Sequence, residues 1–245
     1  MGVQRAVEIV LDVANSGASP VYTFGPLIHN PQVLDILKQK GVSIVTDPAQ
    51  VPPGHIVIRA HGITPQTKDA LKEAGFTVVD ATCPRVIKVQ TIISKYAGRG
   101  YEVIIVGDEN HPEVVGLMGF AQGRAHVVHD PKQISQLPHY ANVIVVAQTT
   151  QDETLFHAVV KAGKARFANL QVFNTICYST RERQAEAREM ARDVDAVVVV
   201  GGRNSGNTQR LAQVVEQEGV RACHVESESD LDYETLGPSR AVGVT

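Results

Sequence analysis

Two cysteines could carry metal chemistry, because each ends a short apolar stretch and begins one with helical character. Cys83 follows the stretch 78–82, and Cys177 follows the stretch 171–176. Open α/β folds bind their ligands at the carboxyl ends of strands, which is where this pattern predicts both thiols. Cysteine thiolates are the usual ligands of iron–sulfur clusters. The matching contexts favour one shared metal site, and the alternative is that both are small buried side chains.

The spacing after the two cysteines is the same. His111 lies 28 positions after Cys83, and Ser205 lies 28 positions after Cys177. A glycine that ends an apolar strand lies 24 positions after each cysteine. Matched spacing over such a distance indicates an internal repeat with equivalent functional positions. The third cysteine, Cys223, lacks this context and is expected to be a packing residue.

The first part of the chain carries the same pattern without its cysteine. Counting back 28 positions from His29 reaches Met1, so the repeat predicts a cysteine at or immediately upstream of that position. At the other end, the last strand stops at Thr245, where the equivalent strand of the second unit continues into a polar tip. We therefore expect both ends of the chain to stop inside the functional pattern.

Strand-length apolar stretches alternate with stretches of helical periodicity, which is typical of an α/β fold with parallel sheets. The repeat divides the chain into three similar α/β units at residues 1–82, 83–176 and 177–245. The first unit is expected to lack its N-terminal lead-in, and the third is expected to lack its C-terminal end.

The composition excludes several classes of function. Apolar residues make up 43% of the sequence and charged residues 20%, and the net charge of −3 gives no indication of a nucleic-acid or membrane surface. No apolar stretch approaches the length of a membrane span, and no secretory signal is visible. Three widely spaced cysteines argue against a disulfide framework and favour a reducing, cytoplasmic location.

Three histidines follow apolar strands at equivalent positions. Taken singly, His29, His61 and His111 are each more typical of structural or surface histidines than of a site. Three that face the same centre suggest an anion pocket instead. The stretch around Gly206 adds to this, since Ser205, Asn207 and the backbone N–H groups there begin a helix, which is a ready anion site. A diphosphate is the natural candidate, and a plain tight turn at 201–207 is the alternative.

A carboxylic acid and a hydroxyl complete the candidate chemistry. Glu113 follows His111 by two residues and could donate a proton to a bound ligand, or it could be a first-turn carboxylate of the next helix. Thr149 and Thr150 follow another apolar strand and could hydrogen-bond a substrate hydroxyl or cap the following helix.

These residues closely resemble the motifs of the 4-hydroxy-3-methylbut-2-enyl diphosphate reductases, the LytB family, along essentially the whole chain. The matching segments are 28–30, 60–62, 80–84, 111–114, 148–150, 176–178, 183–184 and 204–207. The resemblance implies three α/β units in a pseudo-threefold array around a cluster of four irons and four sulfurs. It also implies reductive removal of the substrate's allylic hydroxyl, which gives isopentenyl and dimethylallyl diphosphates in the last step of the non-mevalonate isoprenoid pathway.

The resemblance assigns a role to each candidate residue. Cys83 and Cys177 match two of three ligands of the [4Fe–4S] cluster. Glu113 matches the proton-relay carboxylate, and Thr149 matches the threonine that holds the substrate hydroxyl near the open iron. The positions that match diphosphate-binding residues are His29, His61, His111, Ser205, Gly206 and Asn207. The implied partners are the allylic diphosphate and an electron donor of the ferredoxin or flavodoxin type.

Three departures from the family pattern stand out. This chain begins inside the family's first cysteine motif and lacks the cysteine ligand found there, so its cluster binding and activity are expected to be impaired. Nothing follows Thr245, where the family continues with a loop that supplies a diphosphate-binding serine. Gly206 replaces a family serine, so a hydroxyl is lost while the backbone N–H is kept. A non-redox diphosphate-binding or interaction protein descended from the enzyme is the alternative function.

Overall fold

The computed structural model describes residues 2–245 apart from the side chain of Thr235; Met1, which opens the first predicted unit, lies outside the described residues. Every strand pair within the described residues is parallel. The strands form two four-stranded sheets and one three-stranded sheet. The predicted class, α/β with small parallel sheets, is confirmed, and the pseudo-threefold array around a central site stays a prediction.

Eleven strands lie in the described residues. The first sheet contains β1 (Val21–Phe24), β2 (Val42–Val45), β3 (His55–Ile58) and β4 (Thr77–Asp80). The second contains β5 (Glu102–Val106), β6 (Ala125–Val128), β7 (Val143–Ala147) and β8 (Leu170–Val172). The third contains β9 (Ala196–Val200), β10 (Arg221–Val225) and β11 (Val242–Val244).

The α-helices of the described residues alternate with these strands. They are α1 (Gly2–Asn15), α2 (Pro31–Gln39), α3 (Pro65–Glu73), α4 (Pro84–Ala97), α5 (Pro112–Met118), α6 (Glu153–Arg166), α7 (Tyr178–Ala191), α8 (Gly206–Gln217) and α9 (Tyr233–Leu236). Short 3₁₀ turns lie at Pro48–Gln50, Pro131–Gln136 and Glu228–Asp230. Several helices begin at a proline behind a capping side chain: Asn30 accepts the N–H of Val33, and Thr64 accepts that of Thr67.

All three sheets reverse their order at the same place. The orders are β2-β1-β3-β4, β6-β5-β7-β8 and β10-β9-β11. In each sheet the second strand lies on one side of the first and the third strand on the other side, so the order reverses between the first and third strands. Open parallel sheets bind ligands at the carboxyl ends of the strands beside such a reversal. The topology therefore directs attention to the loops that follow β1 and β3, β5 and β7, and β9 and β11.

The chain divides into two compact units, residues 2–148 with 158–175 and residues 149–157 with 176–245. The division into three units at 1–82, 83–176 and 177–245 stays a prediction. In the first compact unit, all five residues of β7 are fully buried, as expected for a parallel strand with helices on both faces. Its core includes Val86, Val89 and Ile93 of α4, which hold the helix that begins behind Cys83.

The second compact unit has its own core around β9. Val197 and Val199 pack with side chains of α7 and α8, so the loop behind β9 starts from a rigid strand. Cys223 is 6% exposed and packs with Val198 and Val225, which agrees with the packing role expected for it. Among residues 2–245, no helix is both long enough and apolar enough to cross a membrane.

Candidate functional site: an anion pocket and two strand-end thiols

Three histidines meet in the first compact unit. His29 follows β1 and His61 follows β3, the two neighbouring strands beside the reversal of the first sheet. His111 follows β5 and occupies the N-cap of α5. The ring centroids of His29 and His61 are 4.7 Å apart, and those of His61 and His111 are 5.4 Å apart. The structure thus brings together three predicted site residues that lie far apart in the sequence.

Two of these rings have buried nitrogens without a protein partner. Nε2 of His29 and Nδ1 of His61 are buried and make no hydrogen bond to any residue that the structure describes. Buried polar atoms in folded proteins are nearly always hydrogen-bonded, so such atoms need an explanation. A bound ligand with hydrogen-bonding oxygens would satisfy both nitrogens at once.

His111 has a defined orientation of its donor. Its Nδ1 accepts the backbone N–H of Glu113 at 3.1 Å. In the neutral ring the proton must then sit on Nε2, because Nδ1 uses its lone pair as an acceptor. The Nε2–H of His111 is therefore a donor group, which is the kind of group that binds an oxygen anion.

A metal ion is the competing occupant. One nitrogen from each of the three rings lies within 4.8 Å of the others, which is compatible with a three-histidine metal site. Metal ligation uses the lone pair of a neutral imidazole nitrogen, at about 2.0–2.1 Å for zinc. His111 could provide that lone pair only by giving up its bond to the Glu113 N–H or by losing a second proton. The donor arrangement therefore favours an anion.

Burial keeps two of the histidines neutral in the free protein. Burial lowers the pKa of His29, and the charge of Arg59 lowers it further. The pKa of His61 lies well below its usual value, mainly because of burial and then because of His29, His111 and Arg59. An anion would counteract both causes, since it favours the charged form of a neighbouring imidazole.

The lowered pKa values of His29 and His61 predict how stability depends on pH. The unfolded chain binds these protons at the ordinary pKa of about 6.5, and the folded chain binds them only at lower pH. The stabilisation is therefore fully present above about pH 6.5 and is lost as the pH falls towards the folded-state values. Thermal melting should show a falling midpoint in this window, and His61→Asn should flatten the slope. An equal slope in both proteins would contradict the assignment.

Arg59 lies close enough to this cluster for its charge to lower the pKa of His29 and of His61, and sequence reasoning missed it. It follows β3 directly, two residues before His61. Its Nε is buried and has no hydrogen-bond partner among the described residues, and burial lowers the pKa of the guanidinium. No acidic side chain that the structure describes lies within 4.0 Å of its guanidinium nitrogens. The signal that could have found it is a charged residue at the end of the apolar stretch 55–58.

Glu113 lies in the first turn of α5, directly behind Pro112. Only 2% of its surface is exposed, although carboxylates are rarely buried to this degree. The backbone N–H of Glu113 donates to the ring of His111, and this bond holds residue 113 next to the histidine cluster. This position is compatible with the predicted proton donor, whose role stays a prediction.

The predicted site residues of the second compact unit follow two strands. Thr149 is 6% exposed, and its carbonyl accepts the N–H of Cys177 at 2.8 Å. Ser205 caps α8, and its hydroxyl accepts the N–H of Thr208 at 3.4 Å. Gly206 is the buried first residue of this 12-residue helix, and Asn207 follows it. The backbone N–H groups at this helix start can bind an anion, as the sequence predicted.

The two cysteines have the same local structure. Each precedes a 14-residue helix, with φ and ψ of −58° and 132° at Cys83 and of −64° and 138° at Cys177. Each N–H binds the carbonyl of a residue that follows the neighbouring strand, namely Ala60 for Cys83 and Thr149 for Cys177. The structural equivalence supports the repeat that the spacing indicated.

Both thiols are suited to metal ligation. Each is a partly buried thiol outside any disulfide that makes no capping bond to a backbone N–H of its helix, and Sγ of Cys177 lies 3.2 Å from the hydroxyl of Ser179. The start of a helix favours negative charge, which a thiolate ligand would supply. A Cβ on Gly2 would lie only 2.5 Å from Sγ of Cys83, so the thiol occupies a space that a larger residue would fill. Each position on its own therefore fits a cluster ligand.

Comparisons with known proteins agree with this chemistry. The family model described as LytB protein matches residues 1–245. A protein of Citrifermentans bemidjiense named 4-hydroxy-3-methylbut-2-enyl diphosphate reductase is 43% identical over 245 residues, which are 100% of this chain and 86% of that protein. A protein of the same name from Solidesulfovibrio magneticus is 44% identical, covering 97% of this chain and 88% of its own length.

Solved structures give the same result. The E-1-hydroxy-2-methyl-but-2-enyl-4-diphosphate reductase of Plasmodium falciparum has a TM-score of 0.95 and 29% identity, and the match covers 100% of this chain and 78% of that one. A second structure, described as (E)-4-hydroxy-3-methyl-but-2-enyl diphosphate reductase, has a TM-score of 0.72 and 36% identity, over 100% and 88% of the two chains. Full-length agreement in sequence and in fold leads to one conclusion: the chain belongs to the LytB protein family.

Proposed function

We propose that this chain reduces 4-hydroxy-3-methylbut-2-enyl diphosphate to isopentenyl and dimethylallyl diphosphates, the last step of the non-mevalonate isoprenoid pathway. The observation that carries the proposal is the cluster of His29, His61 and His111 in a chain that matches LytB throughout. Buried nitrogens of the first two rings lack a protein partner among the described residues. The names of the relatives support the same reaction.

The diphosphate is the group that the histidines are proposed to hold. His111 donates its Nε2–H to a phosphoryl oxygen, while His29 and His61 bind through their buried nitrogens that have no other described partner. In the second compact unit, the hydroxyl of Ser205 and the N–H groups of Gly206 and Asn207 are proposed as further diphosphate-binding groups. Charge-assisted hydrogen bonds of this kind are roughly twice as strong as neutral ones.

The chemical step needs protons as well as electrons. The substrate's C–OH bond breaks, the oxygen leaves as water, and the allylic carbon skeleton takes up two electrons and one proton. A second proton converts the departing hydroxyl into water. Glu113 is proposed to supply that proton, and Thr149 to orient the hydroxyl by a hydrogen bond. Both side chains are almost fully buried, which limits competition from bulk water.

The electrons imply a redox group, and the two strand-end thiols fit one. Cys83 and Cys177 are proposed to ligate a [4Fe–4S] cluster, on the basis of their matched contexts and of the family. When bound, such a cluster supplies electrons one at a time and can leave an iron position open for substrate. A ferredoxin- or flavodoxin-type protein is proposed as the physiological reductant.

The proposal is tested by anaerobic reconstitution with iron and sulfide, followed by incubation with the substrate and a chemically reduced dye. We expect isopentenyl and dimethylallyl diphosphates, measured by gas chromatography after phosphatase treatment. Tight binding of inorganic diphosphate without any product from a reconstituted, iron-loaded protein would favour the non-redox binding protein instead.

A further inference from the structure

An arginine in the anion pocket has no described protein partner for its charge. The guanidinium of Arg59 approaches Gly25, where an added Cβ would lie 2.9 Å from Nη1. It is also close enough to His29 and His61 for its charge to act on both rings. Gly25 has a φ of +70°, a conformation that favours glycine, and its lack of a side chain leaves room for the guanidinium. Two neighbouring strand ends thus create the space that Arg59 occupies.

An unpaired, partly buried cation destabilises a folded protein. Removing a charged group from water is costly unless an opposite charge or a full set of hydrogen bonds replaces the lost solvation. Nε of Arg59 has no hydrogen-bond partner among the described residues, and no described carboxylate forms an ion pair with it. The two histidines on which its charge acts cannot carry a negative charge and so cannot neutralise it. A partner of negative charge is therefore expected from outside the protein.

We propose that Arg59 is the fixed positive charge of the diphosphate pocket and binds a phosphoryl oxygen beside His29 and His61. This inference rests on the proposed diphosphate substrate and adds a recognition residue to it. Arginine is suited to this position because its planar guanidinium can bind two phosphoryl oxygens in parallel and stays charged when partly buried. The three histidines bring donors, whereas Arg59 brings a charge that does not depend on protonation.

The test measures binding of inorganic diphosphate to the purified chain by calorimetry. Arg59→Met should weaken binding about tenfold or more, since a hydrogen bond to a charged group contributes about 1.5–3 kcal/mol. Arg59→Lys keeps the charge but loses the paired donors, and should fall between Met and wild type. Arg99→Met is the matched control: Arg99 is exposed in the same unit and lies over the ring of Tyr96. It should leave binding unchanged.

A second measurement separates ligand binding from a role in folding. In buffer without phosphate or diphosphate, Arg59→Met should melt at the wild-type temperature or above it, because the variant removes a buried unpaired charge. Saturating inorganic diphosphate should then raise the melting temperature of wild type more than that of the variant. A clear drop of the variant's melting temperature in buffer without phosphate or diphosphate would overturn the inference. So would an unchanged affinity for diphosphate.

The outcome is distinguishable from failure of the proposed reaction. If the reconstituted protein makes the isoprenoid products while Arg59→Met binds diphosphate like wild type, only the inference fails. If diphosphate binding depends on Arg59 but no product forms, the inference stands and the reductase proposal fails.

Discussion

Exchanging Glu113 for glutamine is expected to lower turnover by about a hundred- to ten-thousandfold, the usual contribution of general acid catalysis. Glutamine has nearly the same shape but cannot release an acidic proton. The side chain is 2% exposed, so water has little access to replace it. Affinity for inorganic diphosphate should change little, because the histidine ring is bound by the backbone N–H of residue 113 and not by its carboxyl group.

The matched control for this prediction is Glu109→Gln. Glu109 lies in the loop that leads into α5 and carries the same carboxylate, but its side chain is exposed. We expect wild-type turnover from this variant. Steady-state rates with a chemical reductant, measured beside calorimetric binding, separate loss of proton transfer from loss of binding. Undiminished turnover of Glu113→Gln would remove Glu113 as the proton donor.

Replacing Cys83 or Cys177 by alanine is the second prediction with a large expected effect. Loss of even an outer partner of a metal ligand typically costs about 10- to 100-fold in metal affinity, and loss of a direct ligand should cost at least as much. Each variant should therefore lose most of its bound iron and sulfide, together with the visible absorption of the cluster. Because neither thiol caps its helix, the fold itself should be retained.

Cys223→Ala provides the control for these two variants. Cys223 is buried beside Val198 and Val225, so its replacement should cost about 1 kcal/mol of stability, a typical value for a point mutant. Its iron content should equal that of wild type. Iron and sulfide analysis of all three variants, with circular dichroism as a check of folding, decides the matter. Equal cluster loss in Cys223→Ala, or full retention in Cys177→Ala, would contradict the assigned ligands.

The strands that position the site could be predicted from the sequence, whereas the outer strands β2, β6 and β10 could not. Strands β3, β5, β7 and β9 are continuous apolar stretches because helices cover both faces of a parallel sheet. Strands β2, β6 and β10 lie at sheet edges, and their residues are only partly buried, without a clear alternation shared by the three. Tertiary pairing decides such segments more than local preference does.

Some residues of the candidate site could likewise be predicted from the sequence, and others could not. The convergence of His29, His61 and His111 follows from equivalent positions behind strands, and spacing alone could indicate it. Arg59 carries no such periodic signal, and its role depends on the space over Gly25 and on the absence of a nearby described carboxylate. The internal hydrogen bond that fixes the tautomer of His111 also depends on loop geometry that the sequence does not specify.

The neutrality of the two buried imidazoles lets one pocket exist in two charge states. If His29 and His61 were both charged with their rings 4.7 Å apart, their repulsion would be about 3.5 kcal/mol at an effective dielectric constant of about 20. With both rings neutral, the empty pocket avoids that repulsion. An arriving polyanion reverses the balance, because its charge favours uptake of protons from solution. At a given pH, the positive charge of the two histidines would therefore depend on the occupant and would increase when negative charge is present to match it.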